Sequence, residues 1–219
     1  MNILEIKNVN IYYGGKEILK DINIDIKKNE ILCIMGPSGC GKSTLLSLIN
    51  GFLTENGGEC TGDVILKGEN IKAMKPIQLR RSISTLFQDS KPFPLSIENN
   101  ILYPIEFYEG KVKNKKERIS SYLKDVNLYN EVKDDLKMSA LKLSGGQKQR
   151  LCIARMLTTD PDILIFDEPC SSLDMENTLI IEKLIKRLSE KYTVILTTHN
   201  EEQAKRIADR TILIGKNIN

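Results

Sequence analysis

The chain has 219 residues, of which 41% are hydrophobic and 28% charged, and its formal net charge is +3. This length suffices for one domain with a sizeable core, and so small a net charge gives no reason to expect a nucleic-acid partner. No apolar run approaches the roughly 18 residues of a membrane span, and the N-terminus lacks a basic segment followed by an apolar one. We therefore expect a soluble, cytoplasmic α/β domain without a signal peptide.

The N-terminal quarter predicts three strands and then a helix. Residues 3–13 interleave apolar and polar side chains, which is typical of a strand. Residues 22–26 alternate strictly between isoleucine and a polar residue, which predicts a strand with one buried face. Residues 31–35 are wholly apolar and predict a short buried strand, and a helix is expected to begin near Lys42.

A glycine-rich turn joins that buried strand to the helix, and its pattern is typical of a phosphate-binding loop. Glycines allow backbone N–H groups to approach an anion closely, and the helix N-terminus adds unpaired N–H groups. Lys42 is placed to reach terminal phosphates, and the Ser43 hydroxyl to ligate Mg²⁺. The alternative is a chance glycine-rich turn. The turn comprises Gly36, Pro37, Ser38, Gly39, Cys40, Gly41, Lys42, Ser43 and Thr44.

The middle of the chain predicts two more strands and then a helical segment. Residues 63–66 form one short strand, and residues 82–87 form another that ends at Gln88. Residues 91–94 contain two prolines, which cannot continue a strand or a helix, so we place a subdomain boundary here. Residues 96–135 are helical in character.

The C-terminal part returns to alternating helices and strands. A helix is expected to open at 143–147, and another follows Asp174 with a clear apolar stripe. Residues 163–166 and 193–197 predict buried strands, and 211–214 predict a last strand after a short helix. Strands that alternate with helices predict a mostly parallel sheet covered on both faces.

Polar residues stand at the predicted carboxyl ends of several strands, where parallel sheets collect their ligands. Asp167 is placed to hold Mg²⁺, and Glu168 beside it is placed to polarise an attacking water. Gln88 is a candidate metal ligand or sensor of the γ-phosphate. His199, the single histidine, is a candidate partner of the γ-phosphate and the water. For each residue the alternative is a purely structural role.

A second glycine-rich helix opening contains Ser144, Gly145, Gly146 and Gln147. It is a second possible anion site, because a helix N-terminus presents unpaired N–H groups. The chain thus has two phosphate-binding features and one lysine-bearing loop. This combination suggests that two chains share two nucleotides, each held between a loop of one chain and the second element of the other.

Together these residues resemble the ATP-binding-cassette (ABC) ATPases over nearly the whole chain. The matching features in chain order are the adenine-stacking aromatic Tyr13, the Walker A loop 36–44, the Q-loop Gln88, the signature 143–147, the Walker B strand 163–167 with Glu168, the loop 171–174 and the switch His199. The resemblance implies binding of ATP and Mg²⁺. The metal ligands would be Ser43, Gln88 and Asp167. The catalytic residues would be Lys42, Glu168 and His199. Asp174 would belong to the nucleotide site.

The resemblance also implies an architecture and partners. We expect one P-loop NTPase domain with a RecA-like core and an antiparallel β-subdomain in 1–88 and 156–219, and a helical subdomain in 89–155. Two such chains would form a head-to-tail dimer with ATP at the interface. Closure of the dimer on ATP and its opening after hydrolysis would drive transmembrane permease subunits. A substrate-binding protein would be an indirect partner. Such a chain would lie peripherally on the cytoplasmic face of the membrane, with residues 88–94 bordering the groove for a permease helix.

Within this family the sequence is most similar to the ATPases of phosphate-specific import systems. The matching stretches are 12–14, 36–42, 91–97, 149–155, 198–200 and 209–211. Departures are Cys170 for the usual threonine, Ser172 for alanine and Met175 for proline, together with an end soon after the last strand. The first three leave the carboxylates and Asp174 in place.

Three alternatives stay open at this stage. The chain is an ABC ATPase for another cargo, such as an amino acid, another oxyanion or an exported substrate. It is a DNA-repair type of ABC ATPase, although it lacks the coiled-coil or zinc-bearing insertion expected between Gly41 and Ser144. It is a non-hydrolysing regulatory subunit, although every catalytic position of the family is filled.

Overall fold

The computed structural model describes residues 1–89 and 91–215, and these contain an antiparallel and a parallel β-sheet. The strands are β1 (Asn2–Tyr13), β2 (Lys16–Lys27), β3 (Ile31–Met35), β4 (Gly58–Leu66), β5 (Glu69–Asn70), β6 (Ile83–Leu86), β7 (Ile163–Asp167), β8 (Thr193–Thr198) and β9 (Arg210–Leu213). The helices are α1 (Lys42–Ile49), α2 (Pro76–Ser82), α3 (Ile97–Glu109), α4 (Lys115–Asp125), α5 (Tyr129–Val132), α6 (Gly145–Leu157), α7 (Met175–Ser189) and α8 (Glu201–Ile207).

The parallel sheet has the order β6-β7-β8-β3-β9 and forms the centre of the fold. Every residue of β3, β7 and β8 is buried, as expected for parallel strands covered on both faces. Asp167 pairs in register with Thr197, and Met35 with Thr198. The carboxyl ends of β6, β7, β8 and β3 therefore meet at one edge, and the predicted site residues follow these ends.

The two faces of the parallel sheet belong to different hydrophobic clusters. Ile163 and Ile165 of β7 join the cluster that contains α1 and the antiparallel sheet. Leu164 and Phe166, which point the other way, join the cluster formed by α3 to α7. This alternation confirms the expected α/β sheet with cover on both faces.

The antiparallel sheet has the order β2-β1-β4-β5, and β1 and β2 form a hairpin. Leu4, Ile6 and Ile11 of β1 are buried and pack in the same cluster as Leu45 and Ile49 of α1. The helix that follows the glycine-rich turn is thus held between two sheets. This packing fixes the turn against the rest of the molecule.

Three parts of the element prediction were wrong. Strand β2 begins at Lys16, six residues before the predicted strand 22–26. Helix α2 was missed and takes Ser82 out of the predicted strand, because its seven residues bury only Leu79 and so show no apolar period. Strand β4 begins at Gly58, five residues earlier than predicted, because polar residues that resemble a loop pair with β1. The predicted helical segment 96–135 divides into α3, α4 and α5.

Helices α3 to α6 span 97–157, and the proposed subdomain limits of 89 and 155 remain a prediction. Among residues 1–89 and 91–215, no helix has both the length and the apolar character that crossing a bilayer requires.

Candidate active site

The glycine-rich turn between β3 and α1 is shaped by close backbone packing. A Cβ at Gly36 would collide with the backbone oxygen of Ile214. Gly41 has a φ of +107°, and a Cβ there would lie 2.8 Å from the Leu19 side chain. Only glycine meets both demands without strain. Larger residues at these two positions would therefore distort the turn.

Lys42 lies across this turn. Its Nζ donates hydrogen bonds to the carbonyl oxygens of Gly36 at 2.8 Å and Pro37 at 3.2 Å, and it lies 3.9 Å from Oε1 of Glu168. The side chain is buried, being only 7% exposed. A buried ammonium that is held largely by neutral carbonyl oxygens is placed to exchange them for phosphate oxygens.

Cys40 is part of the packing of the turn. Its side chain is buried, and a Cβ at Gly36 would lie 2.7 Å from its Sγ atom. Cys40 is one of five free cysteines, of which Cys33 and Cys152 are also buried while Cys60 and Cys170 are half-buried. Burial raises the pKa of Cys170 to about 11, so this thiol is protonated at neutral pH.

Asp167 ends β7 and is surrounded by hydroxyl groups. Ser43 Oγ donates to its Oδ2 at 3.1 Å, and Thr197 Oγ1 donates to its Oδ1 at 2.6 Å. The backbone N–H of Glu168 donates to the same Thr197 hydroxyl at 3.0 Å. Thr197 was missed as a site residue, although a threonine within an apolar strand two residues before His199 is a usable signal.

This oxygen-rich group is compatible with Mg²⁺. The ion prefers hard oxygen ligands and is usually held by one or two protein groups together with water and phosphate. Ser43 and Asp167 already lie within hydrogen-bond distance of each other, so one ion can contact both. Across the described residues, no cluster of three or more His, Cys, Asp or Glu side chains forms a metal cage by itself.

Glu168 is the residue on which the site converges. Its backbone has a φ of +47°, which is uncommon for any residue but glycine and turns the chain sharply after β7. Its Oε2 lies 3.4 Å from Gln88 Nε2 and 3.4 Å from His199 Nδ1. Lys42 lies near the other oxygen, so two strand ends and one helix start direct side chains to a single carboxylate that is 16% exposed.

The second glycine-rich opening makes a separate set of contacts. Ser144 caps α6 by accepting from the Gln147 N–H at 3.3 Å, and the Gln147 side chain accepts from the Ser144 N–H at 3.0 Å. Gln147 also donates to Glu131 at 3.0 Å. Gly145 is exposed, and a Cβ there would meet nothing within 4 Å, whereas Gly146 packs against Asn177. None of these contacts reaches the turn 36–44 or Glu168.

Asp174 and Tyr13 lie outside the cluster around Glu168. Asp174 caps α7 by accepting from the Asn177 N–H at 2.8 Å, and hydrogen bonds from Asn177 hold the pKa of its carboxyl below the ordinary value. Asn177 is also the neighbour of Gly146, so Asp174 is linked to the start of α6. Tyr13 ends β1 and is half-buried beside Gly58.

Comparisons with known proteins find similar sequences. The family model described as ABC transporter matches residues 19–171. The chain is 45% identical over 216 residues to phosphate import ATP-binding protein PstB 1 of Bacillus licheniformis, covering 96% of this chain and 83% of the relative. It is 44% identical over 213 residues to PstB 2 of Shouchella clausii, covering 95% and 78%.

Solved structures give the same result for the fold. CbiO1 of Clostridium perfringens, part of an ABC transporter complex, has a TM-score of 0.84 at 29% identity and covers 98% of this chain and 85% of its own. A dimeric ATP-binding cassette in a post-hydrolysis state with ADP and Pi has a TM-score of 0.81 at 30% identity and covers 97% and 94%. These neighbours confirm the predicted ABC ATPase fold.

Proposed function

The chain belongs to the ABC transporter family, and on that premise we propose that it binds and hydrolyses ATP to drive the import of inorganic phosphate. The hydrolytic part is carried by one observation, the convergence of Lys42, Gln88 and His199 on the Glu168 carboxylate. The cargo is inferred from the two PstB relatives, whose names give phosphate import as their activity.

Glu168 acts as the general base in this proposal. A carboxylate 3.4 Å from both an amide nitrogen and an imidazole nitrogen is placed to accept a proton from a water that those two groups orient. Lys42 binds terminal phosphate oxygens and offsets the negative charge that grows during phosphoryl transfer. Ser43, Gln88 and Asp167 would hold Mg²⁺, which would neutralise further negative charge on the phosphates.

Nucleotide binding uses the remaining predicted residues. The backbone of 36–41 and the side chains of Lys42, Ser43 and Thr44 hold the phosphates, and Tyr13 stacks on the adenine. The signature residues of a second copy close over the same nucleotide. In support, Gly145 is exposed and a Cβ there would meet nothing within 4 Å. Asp174, next to the signature helix through Asn177, contributes from the same side.

The permease partner is proposed to dock in an aromatic groove beside β6. The groove has a volume of about 440 Å³, and its wall includes Phe87, Phe93, Tyr103 and Phe107, which are 37% to 61% exposed. Exposed aromatic side chains arranged around a groove suit an amphipathic helix. Attachment through this groove would place the chain at the cytoplasmic face of the membrane, with the substrate-binding protein acting on the permease alone.

Phosphate uptake in a strain lacking this chain tests the proposal. Labelled phosphate would be supplied at low external concentration to cells that express the wild type or Glu168→Gln. We expect uptake with the wild type only. If neither protein restores uptake while the purified wild type hydrolyses ATP, the cargo is wrong and the ATPase assignment stands. Uptake restored equally by both would contradict the role of Glu168.

A further inference from the structure

We propose that Glu182 of α7 is a positioning residue that holds α8, and through α8 sets the place of His199 beside Glu168. This inference rests on the proposed hydrolytic role of His199 and adds a residue outside the set that the sequence predicted. Glu182 is 3% exposed and lies within α7, not at the strand ends where the nucleotide is proposed to bind. A carboxylate at this depth is costly unless it is hydrogen-bonded, and the protein supplies its hydrogen-bond partners.

Glu182 binds two residues of α8. Its Oε1 accepts from Gln203 Nε2 at 3.3 Å and from a terminal nitrogen of Arg206 at 2.7 Å, and its Oε2 accepts from Arg206 Nε at 2.8 Å. This is a bidentate guanidinium–carboxylate pair with an added amide hydrogen bond. Two successive turns of α8 are thereby fixed to one point on α7.

Helix α8 needs such an anchor. It has seven residues, and a helix this short is not stable without tertiary contacts. Its buried side chains are Gln203, Ala204 and Ile207, so its apolar contact area is small. The pair with Glu182 is its main polar attachment, and removing a buried carboxylate partner leaves Gln203 with an unsatisfied amide.

The start of α8 is coupled directly to His199. Asn200 caps the helix, accepting from the Gln203 N–H at 3.0 Å, and its own N–H donates to Thr198 Oγ1 at 3.1 Å. His199 lies between Thr198 and Asn200 in the chain. Its side chain is 64% exposed and contacts Glu168 at 3.4 Å, so few contacts of its own hold it. Its position therefore depends on where α8 begins.

Glu202 provides a matched control on the same arginine. Its carboxylate lies 3.8 Å from Arg206 and is 85% exposed, whereas the Glu182 carboxylate is 4% exposed. Exposed pairs of this kind contribute little to stability. Glu202→Gln therefore removes one charge from the same helix without freeing it.

The test uses the full chain and its single histidine. Labelling histidine at Cε1 gives one NMR signal, that of His199, which can be observed without nucleotide. We expect Glu182→Ala to shift or broaden this signal and to lower kcat about tenfold at unchanged KM for ATP, because small displacements of a catalytic group are costly. Glu182→Gln, which keeps one acceptor, should fall between, and Glu202→Gln should match the wild type.

The outcomes separate this inference from the proposed function. A folded Glu182→Ala protein with an unchanged His199 signal and unchanged kcat would overturn the positioning role. If Glu182→Ala does not fold, Arg206→Lys tests the same contact from its partly exposed side, and the same change in the His199 signal is expected. A wild type that does not hydrolyse ATP would refute the proposed function, while the NMR comparison would still decide whether Glu182 positions His199.

Discussion

The two glycine-rich turns of this chain look alike in sequence and differ in structure. The turn 36–41 uses left-handed glycine conformations at Gly39 and Gly41, and a lysine of the same chain lies across it. The turn at 144–147 begins an ordinary helix: neither glycine has a positive φ, and Ser144 and Gln147 satisfy each other's N–H groups. The first turn packs closely against neighbouring segments and binds a buried lysine, whereas the N–H groups of the second are satisfied by its own capping hydrogen bonds.

The difference suggests a separate role for each turn in the proposed binding of the nucleotide. The first has its cation, its hydroxyl and the neighbouring carboxylates in one chain, so it can bind a nucleotide phosphate alone. At the second, Gln147 binds both the Ser144 hydroxyl and the nearby Glu131 carboxylate, and the exposed glycine is Gly145. In the proposed dimer, this turn acts on the nucleotide that the other copy binds. This contrast supports the proposal that hydrolysis requires two copies of the chain.

The largest effect should come from Glu168, which completes the first turn. Glu168→Gln keeps the size of the side chain and removes its basicity, so we expect turnover to fall about 100- to 1,000-fold while ATP binding persists. Steady-state hydrolysis and equilibrium ATP binding would be measured on the purified dimer or the transporter complex. Glu190→Gln, an exposed carboxyl at the end of α7, is the control. Turnover within threefold of wild type would exclude Glu168 as the base.

A smaller loss is expected at Gly145, on the outer surface of the second turn. Gly145→Ala meets nothing within its own chain and places alanine in a helix, so its free energy of unfolding should be unchanged or slightly higher. In the proposed dimer the added methyl group stands against the nucleotide of the other copy. We expect turnover to fall about tenfold, in the range of one to two kcal/mol of lost contact.

Three measurements on the Gly145→Ala protein separate the effect on stability from the effect on turnover. Thermal unfolding should give the wild-type melting temperature, and ATP binding by the single chain should be unaltered. ATP-dependent dimerisation, followed by light scattering with the Glu168→Gln background to prevent turnover, should weaken. Full activity together with normal dimerisation would mean that the second turn does not face a nucleotide.

Thr197 lies beside the first turn, and its hydroxyl makes hydrogen bonds with both the Asp167 carboxylate and the Glu168 backbone N–H. Thr197→Val is nearly isosteric and removes both hydrogen bonds, so the Mg²⁺ concentration for half-maximal activity should rise about tenfold. Thr193→Val makes the same chemical change at the other end of β8, where the hydroxyl accepts from Asn29 N–H at 3.0 Å. A magnesium effect as large in Thr193→Val would reduce Thr197 to a packing role.

Much of this site was predictable because its residues follow short apolar runs. Strands β3, β7 and β8 are wholly buried, so their ends at the glycine-rich turn, Asp167 and His199 stand out in the sequence. Residues inside an element give no such signal. Thr197 and Glu182 act through hydrogen bonds to distant segments, and which segments come together is decided by tertiary packing rather than by local pattern.

At Gly146, one residue along the second turn, we expect a loss of stability rather than of turnover. A Cβ there would collide with the Asn177 side chain, so Gly146→Ala overpacks the contact between α6 and α7. Overpacking of this kind costs about 1–3 kcal/mol and should lower the melting temperature by roughly 3–10 °C in a domain of this size. The Asn177→Ala background removes the colliding atoms, and there the same glycine substitution should cost much less. Equal losses in both backgrounds would show that the helix itself requires the glycine. A loss confined to the protein that keeps Asn177 would show that Gly146 serves the packing of α6 against α7.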